Sequence, residues 1–409
     1  MNLLMLTKFY PFGKGETFIE NEIGIIAEYF ESITIIACDT DKKDCITRTL
    51  PENVTAFKVP AKSKYRDLIS GLNCLFTKDK IVCTERIECR NLARKIFLGY
   101  FEAKSTRIYN SIMTNGYAEK IIDEPFAIYS YWLFVTARVG ILISKKRQPV
   151  YKITRAHGYD LYEERNELKY LPYRKLFLKE YDEIFPCSEH GTVHLKCKYP
   201  DLSGKVKTSF LGTKDCGVSE ESRDGLFRII SCSRVEPVKR VHRIVEALHI
   251  LENSDLNIEW IHIGDGVDRE KIERKAVKNL HNIKYRFLGN ISNSDVLDLY
   301  KKQPIDLFVN VSSSEGVPVS IMEAISFGVP VIATDVGGTS EIVIDGVTGS
   351  LIDADFTDKE LAEAIRKFFK EENFSVKRKS CRKYWEEHFQ ADDNYHQLYG
   401  FLKMKYHLH

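Results

Sequence analysis

Between residues 227 and 335 the chain alternates short apolar segments with amphipathic ones, and this alternation constrains the fold more than any other feature. Each segment with the composition of a buried strand is followed by one with helical periodicity. The predicted strands are 227–232, 256–263, 283–288, 305–311 and 329–335, with a single predicted helix after each of the first four. Strands joined by single helices need crossover connections. The pattern therefore predicts a doubly wound domain, a parallel sheet covered on both faces.

The first half of the chain shows a similar but less regular pattern. Strands are predicted at 2–7, 32–38, 126–131 and 150–156, a helix at 16–30, and a mostly helical insertion rich in lysine and arginine at 61–120. A chain of 409 residues is long for one core. The polar, turn-rich stretch 199–207 marks the expected boundary between two Rossmann-like domains. They are predicted at residues 1–205 and 206–387, and one or two helices follow the second sheet.

Composition excludes several classes of protein. A formal net charge of +2 gives no electrostatic basis for nucleic-acid binding. The ten cysteines are spread singly, without metal-ligand spacing, as expected for reduced thiols in a cytosol. The N-terminus lacks the pattern of a signal peptide. The apolar run 126–143 carries Arg138, so it is predicted as a strand followed by a helix. We expect a cytoplasmic protein that does not span a membrane.

The insertion contains a stretch, residues 85–104, that mixes basic with apolar side chains. The favoured interpretation is a solvated helix with one face toward the core. The alternative is a surface that docks on anionic lipid headgroups, which leaves peripheral association with the inner face of the membrane open.

Residues suited to binding a ligand follow three strands of the second half. In open parallel sheets, ligands bind outside the carboxyl ends of the strands. Arg234 and Lys239 follow strand 227–232, the segment "IGDG" at 263–266 ends strand 256–263, and Glu315 follows strand 305–311. Three such loops on one rim of the sheet predict a ligand-binding site. Taken alone, Arg234 and Lys239 would be interpreted as surface charge, and Glu323 as part of a salt bridge within a helix.

The chemistry of these residues suits a nucleotide-linked substrate. Arg234 and Lys239 can bind a diphosphate. Gly316 and Val317 can offer backbone N–H groups at a helix N-terminus. Glu323 could accept hydrogen bonds from a vicinal diol such as ribose, and Glu315, in the loop facing the space between the halves, could hold sugar hydroxyls.

Two loops of the first half are further candidates. "YPFGKGETF" at 10–18 opens a helix after the first strand, and "RAHGYD" places His157 at the carboxyl end of another. A lone histidine is more often structural, but this position favours a function. Two DxD triplets, at 39–41 and 353–355, are interpreted as turn and cap residues rather than metal ligands.

At this point the sequence resembles the large retaining glycosyltransferase family usually numbered four, which has the GT-B fold. The segment "EGVPVSIMEAISFGVPVIATDVGGTSEIVIDGVTGSLID" is similar to the family's two-glutamate signature. "SRVEPVK" matches its arginine and lysine, with Ser233 and Arg240 where the family usually has glycine. "HIGDG", "RFLGNIS", "RAHGYD" and the N-terminal glycine loop follow in family order, so the resemblance covers almost the whole chain.

The resemblance implies two Rossmann-like doubly wound domains facing across a cleft, with a C-terminal helix, about 388–409, crossing back to the N-terminal domain. It implies catalytic roles for Glu315, His157, Arg234 and Lys239. Donor binding would fall to Arg234, Lys239, Glu315, Gly316, Val317, Glu323, Asn290 and Gly15. Gly13, Lys14, Glu16 and Asp160 would lie on the acceptor side. No metal or other cofactor is expected.

The predicted function is therefore retaining transfer of a hexose or N-acetylhexosamine from a nucleotide sugar, UDP favoured over GDP. The acceptor would be a glycan or lipid-linked glycan, in bacterial surface polysaccharide synthesis. The alternatives are a nucleotide-sugar hydrolase or epimerase of the same fold, a non-catalytic nucleotide-sugar-binding protein, and a NAD-dependent oxidoreductase. The last lacks the GxGxxG fingerprint after either first strand.

Overall fold

The computed structural model describes residues 1–74, 76–117, 125–371 and 373–406. Residues 75 and 118–120 of the predicted insertion and 407–409 of the predicted C-terminal helix lie outside the described residues. The chain forms two compact units. Unit 1 comprises Met1–Phe210 with Tyr395–His409, and unit 2 comprises Leu211–Asn394. The sequence had placed this division between residues 205 and 206.

Unit 1 contains a six-stranded parallel sheet in the order β3-β2-β1-β4-β5-β6. Its strands are β1 (Asn2–Thr7), β2 (Ser32–Thr40), β3 (Val54–Pro60), β4 (Phe126–Ser130), β5 (Tyr151–Ala156) and β6 (Glu183–Pro186). The central strands β1 and β4 are buried along their whole length. The two edge strands, β3 and β6, were not predicted, because β3 is partly exposed and β6 has only four residues.

Helices cover this sheet and form the insertion. They are α1 (Glu20–Ala27), α2 (Lys64–Cys74), α3 (Lys80–Glu88), α4 (Leu92–Thr114), α5 (Val135–Lys146), α6 (Gly158–Leu161), α7 (Arg174–Glu180) and α8 (Glu189–Lys198). The predicted helix 16–30 is shorter than expected. Glu16 has a left-handed backbone, with φ of +57°, so the α-helix begins only after a 3₁₀ turn at Thr17–Ile19.

Helix α4 packs on α5 through a buried core and one buried ion pair. Leu98 and Phe101 are among its buried side chains, and Glu102 receives two hydrogen bonds from Arg138, at 2.9 and 2.7 Å. Leu98 and Phe101 therefore face the core, as the favoured interpretation held, whereas Ile87 and Leu92 of the same stretch are 84% and 66% exposed. The run 126–143 is a strand followed by a helix, as predicted. Within the described ranges, no helix is both long and apolar enough to cross a membrane.

Unit 2 contains a second six-stranded parallel sheet, in the order β12-β11-β10-β7-β8-β9. Its strands are β7 (Phe227–Cys232), β8 (Ile258–Ile263), β9 (Lys284–Gly289), β10 (Leu307–Asn310), β11 (Val331–Thr334) and β12 (Gly349–Ile352). The five predicted strands are confirmed to within about two residues at either end. Only β12, a four-residue edge strand, was missed.

The helices of unit 2 confirm the predicted alternation. They are α9 (Val241–Leu251), α10 (Arg269–Asn279), α11 (Asn293–Lys302), α12 (Val319–Ser326), α13 (Asp358–Phe369) and α14 (Phe374–His388). One large core cluster joins α9 and α13 to the sheet.

The last helix, α15 (Ala391–Tyr406), begins in unit 2 and ends in unit 1. The Tyr399 hydroxyl donates to the buried carboxylate of Glu22, and the Tyr406 ring stacks on Tyr151 with a centroid distance of 4.1 Å. The return of the C-terminal helix to the first domain is therefore confirmed.

Candidate functional site

The strand order of each unit reverses between its two central strands, β1 and β4 in unit 1 and β7 and β10 in unit 2. In open α/β sheets this reversal opens a crevice at the carboxyl ends of the strands, where ligands bind. In unit 2, the loop with Arg234 and Lys239 leaves β7, and the loop with Glu315 leaves β10. The fold therefore brings two of the three predicted ligand-binding loops to the position where a ligand is expected.

Lys239 and Glu315 form a direct pair between these two loops. Lys239 Nζ donates to Glu315 Oε1 at 2.7 Å, and Asn310 Nδ2 donates to the same oxygen at 3.2 Å. The lysine side chain is 18% exposed and the glutamate 9%, so the pair is largely shielded from water. An ammonium group held in this way can meet the charge of a phosphate without reorganising. Asn310 was missed, because at the end of "LFVN" it looks like an ordinary strand residue.

Arg240 fixes the shape of the same two loops. Its backbone is left-handed, with φ of +48° and ψ of +32°, which explains why glycine suits this position. Its guanidinium donates to the carbonyl oxygens of Val311 (2.7 Å), Ser312 (3.0 Å) and Ala354 (2.7 Å). These hydrogen bonds hold the loop after β10 against the loop after β7, so in this chain the arginine has a positioning role.

Glu323 lies on α12 and is buried. Burial raises the pKa of its carboxyl to about 7, and a hydrogen bond from Asn293 opposes that shift. Asn293 Nδ2 donates to Glu323 Oε1 at 2.7 Å. Asn293 is the first residue of α11 and was not among the predicted site residues. Asn290, predicted to bind the donor, is exposed, and that role stays a prediction.

The raised pKa of Glu323 predicts a pH-dependent loss of stability. Between the ordinary pKa of 4.5 and about 7, the carboxyl ionises in the unfolded chain but stays protonated in the folded one. Stability falls through this window, by roughly 3 kcal/mol when complete. Glu323→Gln keeps an acceptor for Asn293 but cannot ionise. We expect its melting temperature to match that of the wild type near pH 4.5 and to exceed it by several degrees at pH 8.

A gap between the two melting temperatures that does not change from pH 4.5 to pH 8 would contradict this assignment. Asp160, whose pKa burial also raises to about 7, is present in both proteins, so its effect cancels in the comparison.

Arg234 does not join the Lys239–Glu315 pair. Its side chain is 72% exposed and donates to Glu236 Oε1 at 2.6 Å. The "IGDG" segment packs against the backbone of the loop that carries Arg234. A Cβ on Gly264 would lie 1.9 Å from the Ser233 carbonyl oxygen, and one on Gly266 would lie 2.4 Å from that of Val235. These glycines therefore allow close backbone packing.

The loop before α12 leads directly into the helix. Pro318 is the N-cap of the helix, and the helix itself begins at Val319. The Gly316 carbonyl oxygen accepts a hydrogen bond from Gly338 N at 2.8 Å, which ties this loop to the one after β11.

In unit 1, His157 follows β5 and lies among aromatic rings. Its ring centroid is 4.5 Å from that of Trp132, 5.4 Å from Tyr131 and 5.6 Å from Phe18. Burial and the nearby Arg155 lower the pKa of the imidazole to about 3, so it is neutral. Neither ring nitrogen has a hydrogen-bond partner among the described residues. Since buried polar groups are normally paired, this imidazole is suited to bind a ligand hydroxyl.

Two residues predicted for the acceptor side, Glu16 and Asp160, bind backbone N–H groups through their carboxylates. The Glu16 carboxylate accepts hydrogen bonds from the backbone N–H groups of residues 8–10 and from Trp132 Nε1, so it is committed to its own loop. Asp160 is fully buried and accepts from His157 N and Leu133 N, each at 2.6 Å. Glu16 therefore orders the loop after β1, and Asp160 orders the backbone at His157 and Leu133. The place of both residues on the acceptor side stays a prediction.

In the glycine loop of unit 1, residues 10–18, backbone conformation and packing account for the two glycines. Gly13 has a φ of +65°, which favours glycine, and a Cβ on Gly15 would lie 2.9 Å from the Phe9 ring. Lys14 between them is exposed. These observations explain the glycines through backbone geometry and packing, and the ligand roles of the loop stay predictions.

Neither DxD triplet forms a cluster of metal ligands. Asp39 pairs with Lys104 at 2.7 Å, and Asp353 accepts a hydrogen bond from Asp355 N at 2.8 Å, as in a turn. No group of three or more His, Cys, Asp or Glu side chains suited to a metal ion occurs within the described ranges. Independence from metal stays a prediction.

Comparison with known proteins finds glycosyltransferases similar to part of this chain. Residues 218–388 match the family model described as "Glycosyl transferases group 1". An uncharacterized glycosyltransferase of Methanocaldococcus jannaschii is 30% identical over 227 residues, which cover 55% of this chain and 60% of that protein. A GDP-mannose-dependent alpha-mannosyltransferase of Mycolicibacterium smegmatis is 30% identical over 144 residues, 35% of either chain. The chain thus spans between a third and three fifths of the length of these relatives.

The similarity of folds extends further. The crystal structure of Anabaena HepE in complex with UDP and glucose superposes with a TM-score of 0.67 at 15% identity, covering 99% of this chain and 100% of that one. Residues 218–388 therefore match the group 1 glycosyl transferases in sequence, and the chain as a whole has the GT-B fold with two Rossmann-like domains.

Proposed function

We propose that the chain is a retaining glycosyltransferase that moves a hexose or N-acetylhexosamine from a nucleotide sugar to a glycan or lipid-linked glycan. Synthesis of bacterial surface polysaccharide, at the cytoplasmic face of the membrane, belongs to the same proposal. The observation that carries it is the placement of Lys239, Glu315 and Glu323 around the switch point of unit 2.

Each group in unit 2 suits one part of such a donor. The Lys239 ammonium supplies positive charge for a diphosphate, and the exposed Arg234 can turn from Glu236 to fork onto phosphate oxygens. The carboxyl of Glu323, held by Asn293, suits the hydroxyls of a ribose. Glu315 would bind sugar hydroxyls, and the amides of Gly316 and Val317 lie just before α12, where a helix favours negative charge.

The reaction breaks the bond between the anomeric carbon and the diphosphate oxygen. The acceptor oxygen forms the new bond on the same face, and its proton passes to the departing diphosphate. Lys239 and the amides before α12 would stabilise the charge that develops on that leaving group. Alanine at both Glu315 and Arg234, with no change in the transfer rate, would contradict this mechanism.

Nucleotide binding gives the first test. A ligand that binds only the folded state raises the melting temperature by mass action. We expect UDP to raise it by several degrees at 100 times its Kd, equally with magnesium and with EDTA, and GDP or NAD to raise it less. Glu323→Ala should abolish the shift, whereas Glu371→Ala, which changes a half-buried carboxylate paired with Lys377 after α13, should keep it. A shift with NAD alone would overturn the proposal.

Incubation with the nucleotide sugar alone distinguishes a transferase from a hydrolase or an epimerase of the same fold. A hydrolase would release free sugar and an epimerase would release the epimeric nucleotide sugar, both without an acceptor. A transferase needs the acceptor, and NMR of its product would show the anomeric configuration of the donor retained.

A further inference from the structure

Helix α2 of the insertion has its apolar side facing outward. Tyr65, Ile69 and Phe76 are 77%, 66% and 84% exposed, and Leu68 and Leu72 lie beside them. At about 100° per residue, the four apolar side chains within α2 fall in an arc of about 100°. Phe76, just past the end of the helix, continues the stripe. We call these five residues the apolar stripe.

The opposite side of α2 faces α4 and is polar or small. Asp67 is buried and makes two hydrogen bonds with Arg107, at 2.8 and 2.9 Å. Gly71 and Gly99 meet where the helices cross, since a Cβ on Gly71 would lie 2.5 Å from the Gly99 carbonyl carbon. The helix is thus attached through a glycine contact and an ion pair, which leaves its hydrophobic face to be covered by something else.

Basic residues surround the apolar stripe. Lys62, Lys64, Arg66, Lys78 and Lys80 are all exposed. The segment 62–80 contains two acidic residues, and both already have partners. Asp67 pairs with Arg107, and Asp79 caps the N-terminus of α3. Lys64 and Arg66 project about 100° to either side of Tyr65. An apolar stripe flanked by cations is the arrangement of a helix that lies in the interface of an anionic bilayer.

A cavity on the flank of α2 adds an independent observation. It has a volume of about 1020 Å³, and its walls include the cations Lys42, Lys62, Arg66 and Arg107 and the hydroxyl groups of Ser70 and Thr106. Asp67 neutralises Arg107, so Lys42, Lys62 and Arg66 supply the positive charge that suits a phosphate group. Because Arg66 and Ser70 of α2 line this cavity, a lipid with its acyl chains beside α2 could place its headgroup phosphate there.

We propose that α2 and this cavity form a docking surface for a membrane of anionic phospholipids. A second copy of the chain would bring the same cations face to face, and the resulting repulsion disfavours it as the occupant. The inference extends the proposed function by giving the enzyme a membrane surface, but binding to vesicles can be measured without any turnover.

The test is flotation of the full chain with vesicles of 30% phosphatidylglycerol in phosphatidylcholine, beside vesicles of phosphatidylcholine alone. We expect binding to the anionic vesicles that is at least tenfold stronger and falls in high salt. Ile69→Glu should lower that binding at least tenfold. Ile250→Glu, which makes the same change at an exposed position of α9 in unit 2, should leave it unchanged.

A second variant tests the basic residues, and a second measurement separates membrane docking from nucleotide binding. Lys64→Glu combined with Arg66→Glu should also lower binding tenfold or more. The UDP-induced melting shift should stay intact in every variant, which separates failure of docking from failure of the proposed function. The proposal is overturned if the wild type does not float, if Ile69→Glu and Ile250→Glu bind alike, or if light scattering shows that Ile69→Glu only dissociates a dimer.

Discussion

Lys239→Met is expected to lower kcat about 10²- to 10³-fold. The lysine ammonium is fixed 2.7 Å from Glu315 at the switch point of unit 2, where a preorganised charge can stabilise a departing diphosphate. Methionine keeps much of the volume and removes the charge, so the loss falls on the chemical step. Release of nucleoside diphosphate from UDP- and GDP-sugars, with a membrane glycolipid extract as acceptor, measures it. Lys302→Met, at an exposed position of α11, is the matched control and should leave kcat unchanged.

The same substitution leaves the Glu315 carboxylate without its lysine, and this could lower activity through stability alone. We expect a destabilisation of roughly 1–3 kcal/mol from the loss of that partner. Adding Glu315→Gln removes the uncompensated charge, so the double variant should regain most of the stability and still be slower than Glu315→Gln alone, the reference that accounts for loss of the carboxylate. If activity returned along with stability, the lysine would have only a structural role.

The fold could be predicted because its signal is repeated along the chain. In unit 2 four of the five strands between 227 and 335 are apolar, β9 alternates polar with apolar residues, and the segments that connect the strands have helical periodicity. The elements that were missed, β3, β6 and β12, are edge strands with weak signals. Pairing with a neighbour in the sheet, rather than local sequence, makes them strands.

The parts of the candidate site that follow adjacent strands could be predicted from the order of the strands. Hydrogen bonds between side chains of different helices could not. Lys239 and Glu315 follow adjacent strands, so their meeting could be expected from topology. Asn293 lies on a helix distant in sequence from Glu323, and nothing in "NISNSD" separates it from Asn290.

The roles of the acidic residues in unit 1 were harder to predict. Glu16 and Asp160 occur in the right loops, but only the structure shows that their carboxylates bind backbone N–H groups. A sequence shows which residues lie near a site. It does not show whether a carboxylate there faces the ligand or orders the loop, because both roles place acidic residues at the same strand ends.

Gly264→Ala is expected to be the most destabilising of the single substitutions considered, at more than about 3 kcal/mol. Two costs combine at this position. Its φ of +135° is a conformation that other residues rarely adopt, and an added Cβ would lie 1.9 Å from the Ser233 carbonyl oxygen. Backbone must move to relieve that overlap. Gly225→Ala is the matched control, since its φ of +77° is also positive but no atom lies within 4 Å of the added methyl group, so only backbone strain of about 1–2 kcal/mol remains.

Hydrogen exchange of the backbone amides of β7 and β8 measures both variants, because it reports on unit 2 separately from unit 1. We expect faster exchange in Gly264→Ala, together with weaker UDP binding, since displacement of Ser233 also displaces the adjacent Arg234. Gly225→Ala should bind UDP as the wild type does. If amide protection fell equally in the two variants, backbone strain alone would account for the lost stability. The close contact between the loops after β7 and β8 would then contribute nothing to the shape of the candidate site.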